Sequence, residues 1–209
     1  NPTDDIESIQ DKEIRDIAIQ IKGLEKLSSI NKKISNSKIY NWPYNIYEVL
    51  KDNKIKQIAY VPDAGHKDLI DYCENDKKMN MISLTSEEEG IGLLAGAWLG
   101  GEKGVLLMQS SGVGNCINSI ASISRACDFP LLMLVTMRGE WNEFNPWQVP
   151  MGKATAKVLE ALNVNVSRCE KIDDVSDTVN AMVGLAYKTN SINAVLLSQK
   201  LIGAKDFKD

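Results

Sequence analysis

The chain has 209 residues, of which 44% are hydrophobic and 25% are charged, and this composition is ordinary for a globular protein. A net charge of −4 argues against a general nucleic-acid binder, because such proteins present a basic surface. No apolar run reaches the roughly 18 residues of a membrane helix, and the acidic N-terminus lacks the apolar core of a signal peptide. We therefore expect a cytoplasmic protein that contacts neither nucleic acid nor a membrane. With one histidine and no Cys-x-x-Cys pair, the chain is not expected to build a metal site of its own.

Residues 1–40 are rich in Asp, Lys, Ile, Asn and Ser and differ in this from the rest of the chain. Four apolar residues recur there at three- and four-residue spacing, which is typical of an amphipathic helix: Ile14, Ile17, Ile21 and Leu24. A solvated tail is the alternative. We interpret residues 1–40 as a helical N-terminal extension and residues 41–209 as an α/β domain.

Beyond this extension, short apolar strands alternate with helices. Strands are predicted at 57–61, 79–84, 105–108, 131–136, 164–167 and 194–198. Helices are predicted at 43–51, 66–74, 87–99, 116–126, 154–162 and 175–187. Strands that are separated by helices form βαβ units. We therefore predict an α/β fold with a doubly wound, mostly parallel six-stranded sheet and helices on both faces.

The unusual loops of the chain follow predicted strands. They are residues 62–66, 85–89, 109–115 and 137–152. In open parallel sheets, ligands bind beyond the carboxyl ends of the strands. These loops therefore predict a binding site at that edge of the sheet.

The helix predicted at 87–99 is rich in small residues. Gly92, Gly96 and Gly100 lie on one face of it, and each interior glycine costs about 1 kcal/mol relative to alanine. Close approach of another backbone would offset that cost. Either the chain's own sheet or a second subunit could supply this backbone.

Three segments in this order carry a resemblance to a known family: residues 60–66, 83–101 and 108–118. Together they resemble the pyrimidine-binding (alpha) half of thiamine-diphosphate-dependent 2-oxoacid decarboxylases, such as those acting on sulfopyruvate or phosphonopyruvate. The resemblance implies a pyrimidine-binding α/β domain and the conversion of 3-sulfopyruvate to sulfoacetaldehyde and CO₂. Phosphonopyruvate or another 2-oxoacid, a carboligation, and a non-catalytic scaffold or regulatory partner are the alternatives.

In this family a glutamate at the start of the helix hydrogen-bonds N1′ of the cofactor's aminopyrimidine and promotes loss of the thiazolium proton. The resemblance assigns this catalytic and cofactor-binding role to Glu88, two residues before Gly90. It leaves Glu87 and Glu89 to complement the helix dipole, which is also the alternative for Glu88. The chemistry requires a carboxyl group in a nearly dry pocket.

The glycine-rich segment 109–115 invites a nucleotide-binding interpretation, because glycine turns before helices bind phosphates. Ile117 occupies the third glycine position of a dinucleotide fingerprint, and no Gly-Lys-Ser/Thr follows, so both phosphate motifs are excluded. A tight turn with Asn115 capping the next helix is a further alternative. By resemblance, four residues of this segment bind the cofactor: Gln109, Gly112, Gly114 and Asn115.

Asp63 and His66 follow the first predicted strand at its carboxyl end. Related decarboxylases use acidic and histidine groups of this loop on the substrate carboxylate and in proton transfer. The resemblance therefore implies that both residues are catalytic. A structural role for the lone histidine is the alternative.

The long loop 137–152 holds two of the chain's four tryptophans. We expect Arg138 and Gln148 to bind substrate, because a guanidinium pairs well with a sulfonate, phosphonate or carboxylate. Relatives carry a Pro-Gln-His-like segment in this loop, and here the histidine is missing. An ion pair with Glu140 or Glu143 is the alternative for Arg138.

Thiamine-diphosphate enzymes hold the diphosphate through Mg²⁺, which a Gly-Asp-Gly motif and a later Asn bind. This sequence contains no Gly-Asp-Gly. The resemblance therefore implies that thiamine diphosphate is shared with a beta subunit that carries the motif and holds the Mg²⁺. The expected assembly is a hetero-oligomer of α2β2 composition or larger.

Overall fold

The computed structural model describes residues 41–204 together with Gly23. The helical extension that we expect over residues 1–40 lies, apart from Gly23, outside the described residues. The division of the chain into an extension and an α/β domain stays a prediction.

The described strands form one six-stranded sheet. They are β1 Ile55–Tyr60, β2 Asn80–Ser83, β3 Lys103–Gln109, β4 Leu131–Thr136, β5 Asn165–Cys169 and β6 Ile192–Leu197. Their order is β2-β1-β3-β4-β6-β5, and every pairing is parallel. All residues of β4 and β6 are buried, as expected for inner strands that are covered on both faces. The predicted doubly wound α/β class is confirmed.

Helices cover both faces of this sheet. They are α1 Trp42–Asp52, α2 Lys67–Glu74, α3 Glu87–Leu99, α4 Ser110–Ser119, α5 Val149–Ala161, α6 Val175–Thr189 and α7 Gln199–Ile202. Because strand side chains alternate between faces, Leu132 and Leu134 of β4 join a core with α1, α2 and α6. Met133 and Val135 join a second core with α3, α4 and α5.

In residues 41–204, none of the helices has both the length and the apolar character needed to cross a bilayer.

The glycine-rich segment differs from its prediction. Instead of a turn before a helix at 116–126, α4 begins at Ser110, directly after the extended residue Gln109. A π-helix over Ile120–Arg125 then continues it. Asn115 therefore lies within the helix and does not cap it. α4 contains Gly112 and Gly114 despite the low helix propensity of glycine. At Gly112 the reason is close packing against the side chain of Glu87.

Candidate active site

A buried carboxylate lies where the amino ends of α3 and α4 meet. Glu87 is the first residue of α3, and only 9% of it is exposed. A Cβ atom on Gly112 would lie 2.3 Å from Glu87 Oε1, so glycine is required for α4 to approach this closely. Asn115 Nδ2 donates a hydrogen bond to Glu87 Oε2 over 2.9 Å. The amide therefore orients the carboxylate, while Gly112 makes room for it.

The buried environment that we expected for Glu88 is found at Glu87 instead. Glu88 and Glu89 are exposed, and Glu89 Oε2 accepts a hydrogen bond from the Thr85 backbone N–H over 3.0 Å. Successive residues of an α-helix point about 100° apart, so burial of Glu87 against α4 turns Glu88 toward solvent. The burial expected for Glu88 is therefore contradicted by the structure: of the three glutamates, Glu87 is the buried one.

Two other predicted cofactor residues flank this pair. Gln109 is half-buried at the end of β3. Gly114 is half-buried in α4, and a Cβ there would lie 3.8 Å from Met151 Sδ. The first turns of α4 thus lie between Glu87 on one side and the start of α5 on the other.

Asp63 lies in the loop after β1 and lines a cavity of about 110 Å³ together with Arg138. Thr136 Oγ1, at the end of β4, donates a hydrogen bond to Asp63 Oδ2 over 2.7 Å. Thr136 is fully buried, and its hydroxyl fixes one oxygen of the carboxylate. Sequence analysis does not identify Thr136, because a hydroxyl at the end of an apolar strand has no distinguishing pattern. Small residues and one isoleucine complete the lining: Ala64, Gly65, Ile202, Gly203 and Ala204.

His66 is fully buried at the start of α2. Its Nε2–H donates to the backbone carbonyl of Leu134 over 3.1 Å, which leaves Nδ1 without a partner among the described residues. Burial lowers the pKa of His66 from its ordinary value of 6.5, so the ring is neutral at pH 7. This environment favours the structural role for His66.

We predict that His66 makes the isolated chain less stable in mild acid. Below pH 6.5 the unfolded chain takes up a proton on this histidine that the folded chain does not bind. The free energy of unfolding should therefore fall as pH drops below 6.5, with a slope of up to about 1.4 kcal/mol per pH unit. Urea titrations from pH 7.5 to 5 measure this slope.

The control is His66→Asn, which retains a donor for Leu134 and cannot titrate. Because the chain has one histidine, this variant should be less stable overall but nearly independent of pH in that range. An equal slope in both proteins would show that another group is responsible.

Arg138 and Glu143 form a buried ion pair. Arg138 Nη2 lies 2.6 Å from Glu143 Oε1, Nε lies 2.8 Å from Oε2, and 8% and 4% of the two side chains are exposed. The hydrogen bonds with Glu143 raise the pKa of Arg138, and those from Arg138 lower the pKa of Glu143 to about 2. Glu140 pairs with Arg168 instead. This geometry favours the internal ion pair with Glu143 over binding of a substrate anion by Arg138.

Gln148 is half-buried at the end of a 3₁₀ turn, Pro146–Gln148. A Cβ on Gly139 would lie 2.2 Å from the Gln148 backbone oxygen, so the loop closes tightly on itself. The cavity lined by Asp63 and Arg138 does not include Gln148 among its lining residues. The structure therefore does not bring the two predicted substrate residues together there.

The glycine face of α3 points outward. Gly92, Gly96 and Gly100 are exposed, and a Cβ on Gly92 or Gly96 would meet no described atom within 4 Å. Leu99 lies beside them with 73% of its surface exposed. The chain's own sheet does not cover this face, which leaves the second-subunit alternative.

Comparison with known proteins identifies similar sequences and a similar fold. Residues 44–148 match the family described as "Thiamine pyrophosphate enzyme, N-terminal TPP binding domain". A relative from Methanocaldococcus jannaschii, named sulfopyruvate decarboxylase subunit alpha, is 36% identical over 72% of this chain and 89% of its own length. A protein of the same name from Methanococcus maripaludis is 40% identical over 57% of this chain and 71% of its own length.

Among solved structures, 2-oxoglutarate:ferredoxin oxidoreductase from Magnetococcus marinus superposes with a TM-score of 0.62. The match covers 77% of this chain and 29% of that one at 14% identity, so it reports on the fold alone. The family match spans the segments that hold Glu87, Gly112 and Asn115. Given this match and the coverage of its relatives, the chain belongs to the thiamine pyrophosphate enzymes and is related to sulfopyruvate decarboxylase alpha subunits.

Proposed function

We propose that this chain is the alpha subunit of a thiamine-diphosphate-dependent decarboxylase that converts 3-sulfopyruvate to sulfoacetaldehyde and CO₂. The observation that carries the proposal is Glu87, buried at the head of α3 against Gly112 and held by Asn115. Burying a carboxylate costs free energy, and a purely scaffolding chain has no need to bear that cost. The names of the relatives support the choice of substrate.

The residues around Glu87 fit the aminopyrimidine part of thiamine diphosphate. Asn115 holds Oε2, so Oε1 on the Gly112 side is the oxygen we expect to hydrogen-bond the ring nitrogen. When bound, the cofactor supplies the electron sink that a 2-oxoacid needs in order to lose CO₂. Gln109 and Gly114, which flank the pair, are proposed to complete this part of the site.

The chain's own residues have distinct proposed roles. Glu87 holds and returns the proton that it shares with the ring nitrogen, and Asn115 keeps its carboxylate in one orientation. Asp63, fixed by Thr136, handles protons at the substrate. Arg138 holds the loop through Glu143 and does not contact the second anion, so Gln148 remains the substrate candidate of that loop.

We further infer that a beta subunit with a Gly-Asp-Gly motif holds Mg²⁺ and the diphosphate, in an assembly of α2β2 composition or larger. The relatives' designation as subunit alpha supports a partner chain. The lack of this motif in the present sequence agrees with that arrangement. Glu87 would then contact a cofactor that lies between the two chains.

The test combines this chain with a purified chain from the same genome that carries Gly-Asp-Gly, in the presence of thiamine diphosphate and Mg²⁺. The mixture should release CO₂ and aldehyde from 3-sulfopyruvate, whereas either chain alone should not. Turnover of phosphonopyruvate in preference to sulfopyruvate would redirect the substrate assignment. Tight Mg²⁺-dependent cofactor binding by this chain alone would contradict the shared site.

Gly96→Leu should prevent assembly without unfolding the chain. A Cβ added at Gly96 meets no described atom within 4 Å, so the exposed position should accept a leucine in the isolated chain, but that side chain would hold a partner's backbone away from α3. Size-exclusion chromatography of the mixture and thermal unfolding of the single chain measure the two effects.

The matched control is Gly184→Leu in α6, a half-buried helical glycine on the other face of the sheet, where an added Cβ also meets no described atom within 4 Å. It should assemble normally. If Gly96→Leu assembles as well as Gly184→Leu does, then the glycine face of α3 is not an interface.

A further inference from the structure

One carboxylate organises the loop that follows β4. Glu143 Oε2 accepts hydrogen bonds from Arg138 Nε, the Gly139 backbone N–H and Gln199 Nε2, at 2.8 to 2.9 Å. Its Oε1 accepts from Arg138 Nη2 and from the Asn145 backbone N–H. A buried charge that receives this many donors is fully compensated and holds the groups around it in one arrangement.

A second set of contacts joins the same loop to helix α7 and strand β5. Gln199 lies at the start of α7 and is 1% exposed. Its Oε1 accepts hydrogen bonds from the backbone N–H groups of Glu140 and Trp141 over 2.9 and 3.0 Å. Arg168 of β5 donates to both carboxylate oxygens of Glu140, each over 2.7 Å. The loop backbone is therefore also held at Glu140 and Trp141, which precede Glu143.

The charged side chains of the loop are paired within the chain, whereas its aromatic side chains are exposed to solvent. Between residues 139 and 148 the charged side chains are Glu140 and Glu143, and both are paired within the chain. Trp141, Phe144 and Trp147 are 53%, 67% and 71% exposed. We call residues 139–148 the aromatic loop. Three exposed aromatic side chains in a loop whose two carboxylates are both paired are typical of an interface centre rather than of a solvated loop.

The aromatic loop also adjoins the proposed cofactor face. The Arg138 backbone N–H donates to Ser110 Oγ over 3.1 Å, at the first residue of α4. Beyond the loop, Met151 packs against Gly114 of the same helix. The residues directly before and after the aromatic loop therefore contact α4, so a partner that covers the cofactor beside α4 would lie next to the loop.

We propose that the aromatic loop is a docking surface for the partner subunit and that the Glu143 hydrogen bonds fold it before the partner arrives. The identity of the partner rests on the proposed function, whereas the prefolding of the loop rests on the hydrogen bonds that Glu143 and Gln199 make with it. A loop that is ordered in advance loses little conformational entropy on binding, so its aromatic contacts contribute more of their energy to affinity. The partner is expected to offer an apolar surface to the three aromatic side chains, because both carboxylates of the loop are already paired within the chain.

The experiment measures the affinity of this chain for the Gly-Asp-Gly subunit by calorimetry. Trp147→Ala should weaken binding by at least about 30-fold, as expected for a tryptophan at an interface centre. It should leave the thermal unfolding of the isolated chain unchanged, because Trp147 is 71% exposed. Leu185→Ala is the control: this residue is an exposed apolar side chain on α6, and the substitution should not change the affinity.

A second variant tests the prefolding. Glu143→Gln should speed hydrogen exchange at the backbone amides of Gly139 and Asn145 and should weaken the partner affinity, although it alters no exposed aromatic side chain. Unchanged affinity in Trp147→Ala would overturn the docking surface. Unchanged exchange and affinity in Glu143→Gln would overturn the prefolding.

Two outcomes separate this inference from the proposed function. If the complex forms, loses affinity in Trp147→Ala and yet decarboxylates no 2-oxoacid, then the function fails and the docking surface stands. If Trp147→Ala instead changes only the self-association of this chain, the surface belongs to a contact between like chains and the proposal is overturned.

Discussion

Replacing Glu87 with glutamine is expected to reduce decarboxylation by the assembled enzyme by about a hundred- to ten-thousand-fold. Glutamine has nearly the same shape and cannot hold the proton that the proposed mechanism assigns to Glu87. It can still accept the hydrogen bond from Asn115, so α3 and α4 should pack as before. Steady-state turnover with saturating cofactor measures the loss, and size-exclusion chromatography checks that assembly is retained.

Glu88→Gln is the matched control for this prediction. Glu88 is the next residue of the same helix turn, carries the same charge and is exposed. Its substitution should change turnover by no more than a few-fold. A large loss in Glu88→Gln together with normal turnover in Glu87→Gln would return the catalytic role to Glu88.

Replacing Arg138 with leucine is expected to destabilise the isolated chain by about 3 to 5 kcal/mol. The substitution removes the guanidinium that compensates the Glu143 carboxylate, and only 4% of the Glu143 side chain is exposed in the intact pair. The pKa of Glu143 is lowered to about 2 by Arg138, so at neutral pH this carboxylate is charged in the folded chain. Urea unfolding at pH 7 measures the change in free energy.

Lys56→Ala provides the comparison for this effect. Lys56 pairs with Glu102 over 2.7 Å, but 54% and 34% of the two side chains are exposed. Such surface pairs contribute less than about 1 kcal/mol, because water already solvates both charges. Similar losses in the two variants would mean that the Arg138 pair does not behave as a buried one.

Arg138→Lys separates the two interpretations of this residue in the assembled enzyme. If Arg138 only holds Glu143, the substitution disturbs the conformation of the loop, and the Michaelis constants for sulfopyruvate and pyruvate should change alike. Pyruvate is the informative comparison because it lacks the second anion. A selective loss for sulfopyruvate would restore Arg138 as the residue that binds the sulfonate.

Local pattern was sufficient for the framework of this protein. β4 lies at Leu131–Thr136 and α3 at Glu87–Leu99, as predicted, because a continuous apolar run and a small-residue helix after an acidic start each specify their own backbone. Alternation of such segments determines a parallel sheet, and the sheet determines the edge at which loops collect. The family segments could be identified for the same reason, since their residues are close together along the chain.

Only the tertiary structure decided what individual side chains do at that edge. Glu87 and Glu88 are indistinguishable by charge and spacing, and the packing of α3 against Gly112 of α4 determines which one is buried. The choice between Glu140 and Glu143 for Arg138 likewise depends on Arg168 of β5, which attracts Glu140 across 28 residues of sequence. Sequence pattern reports the preferences of neighbours along the chain. The direction of a side chain and the partner of a charge depend instead on which elements meet in space, and that is determined when the helices pack on the sheet.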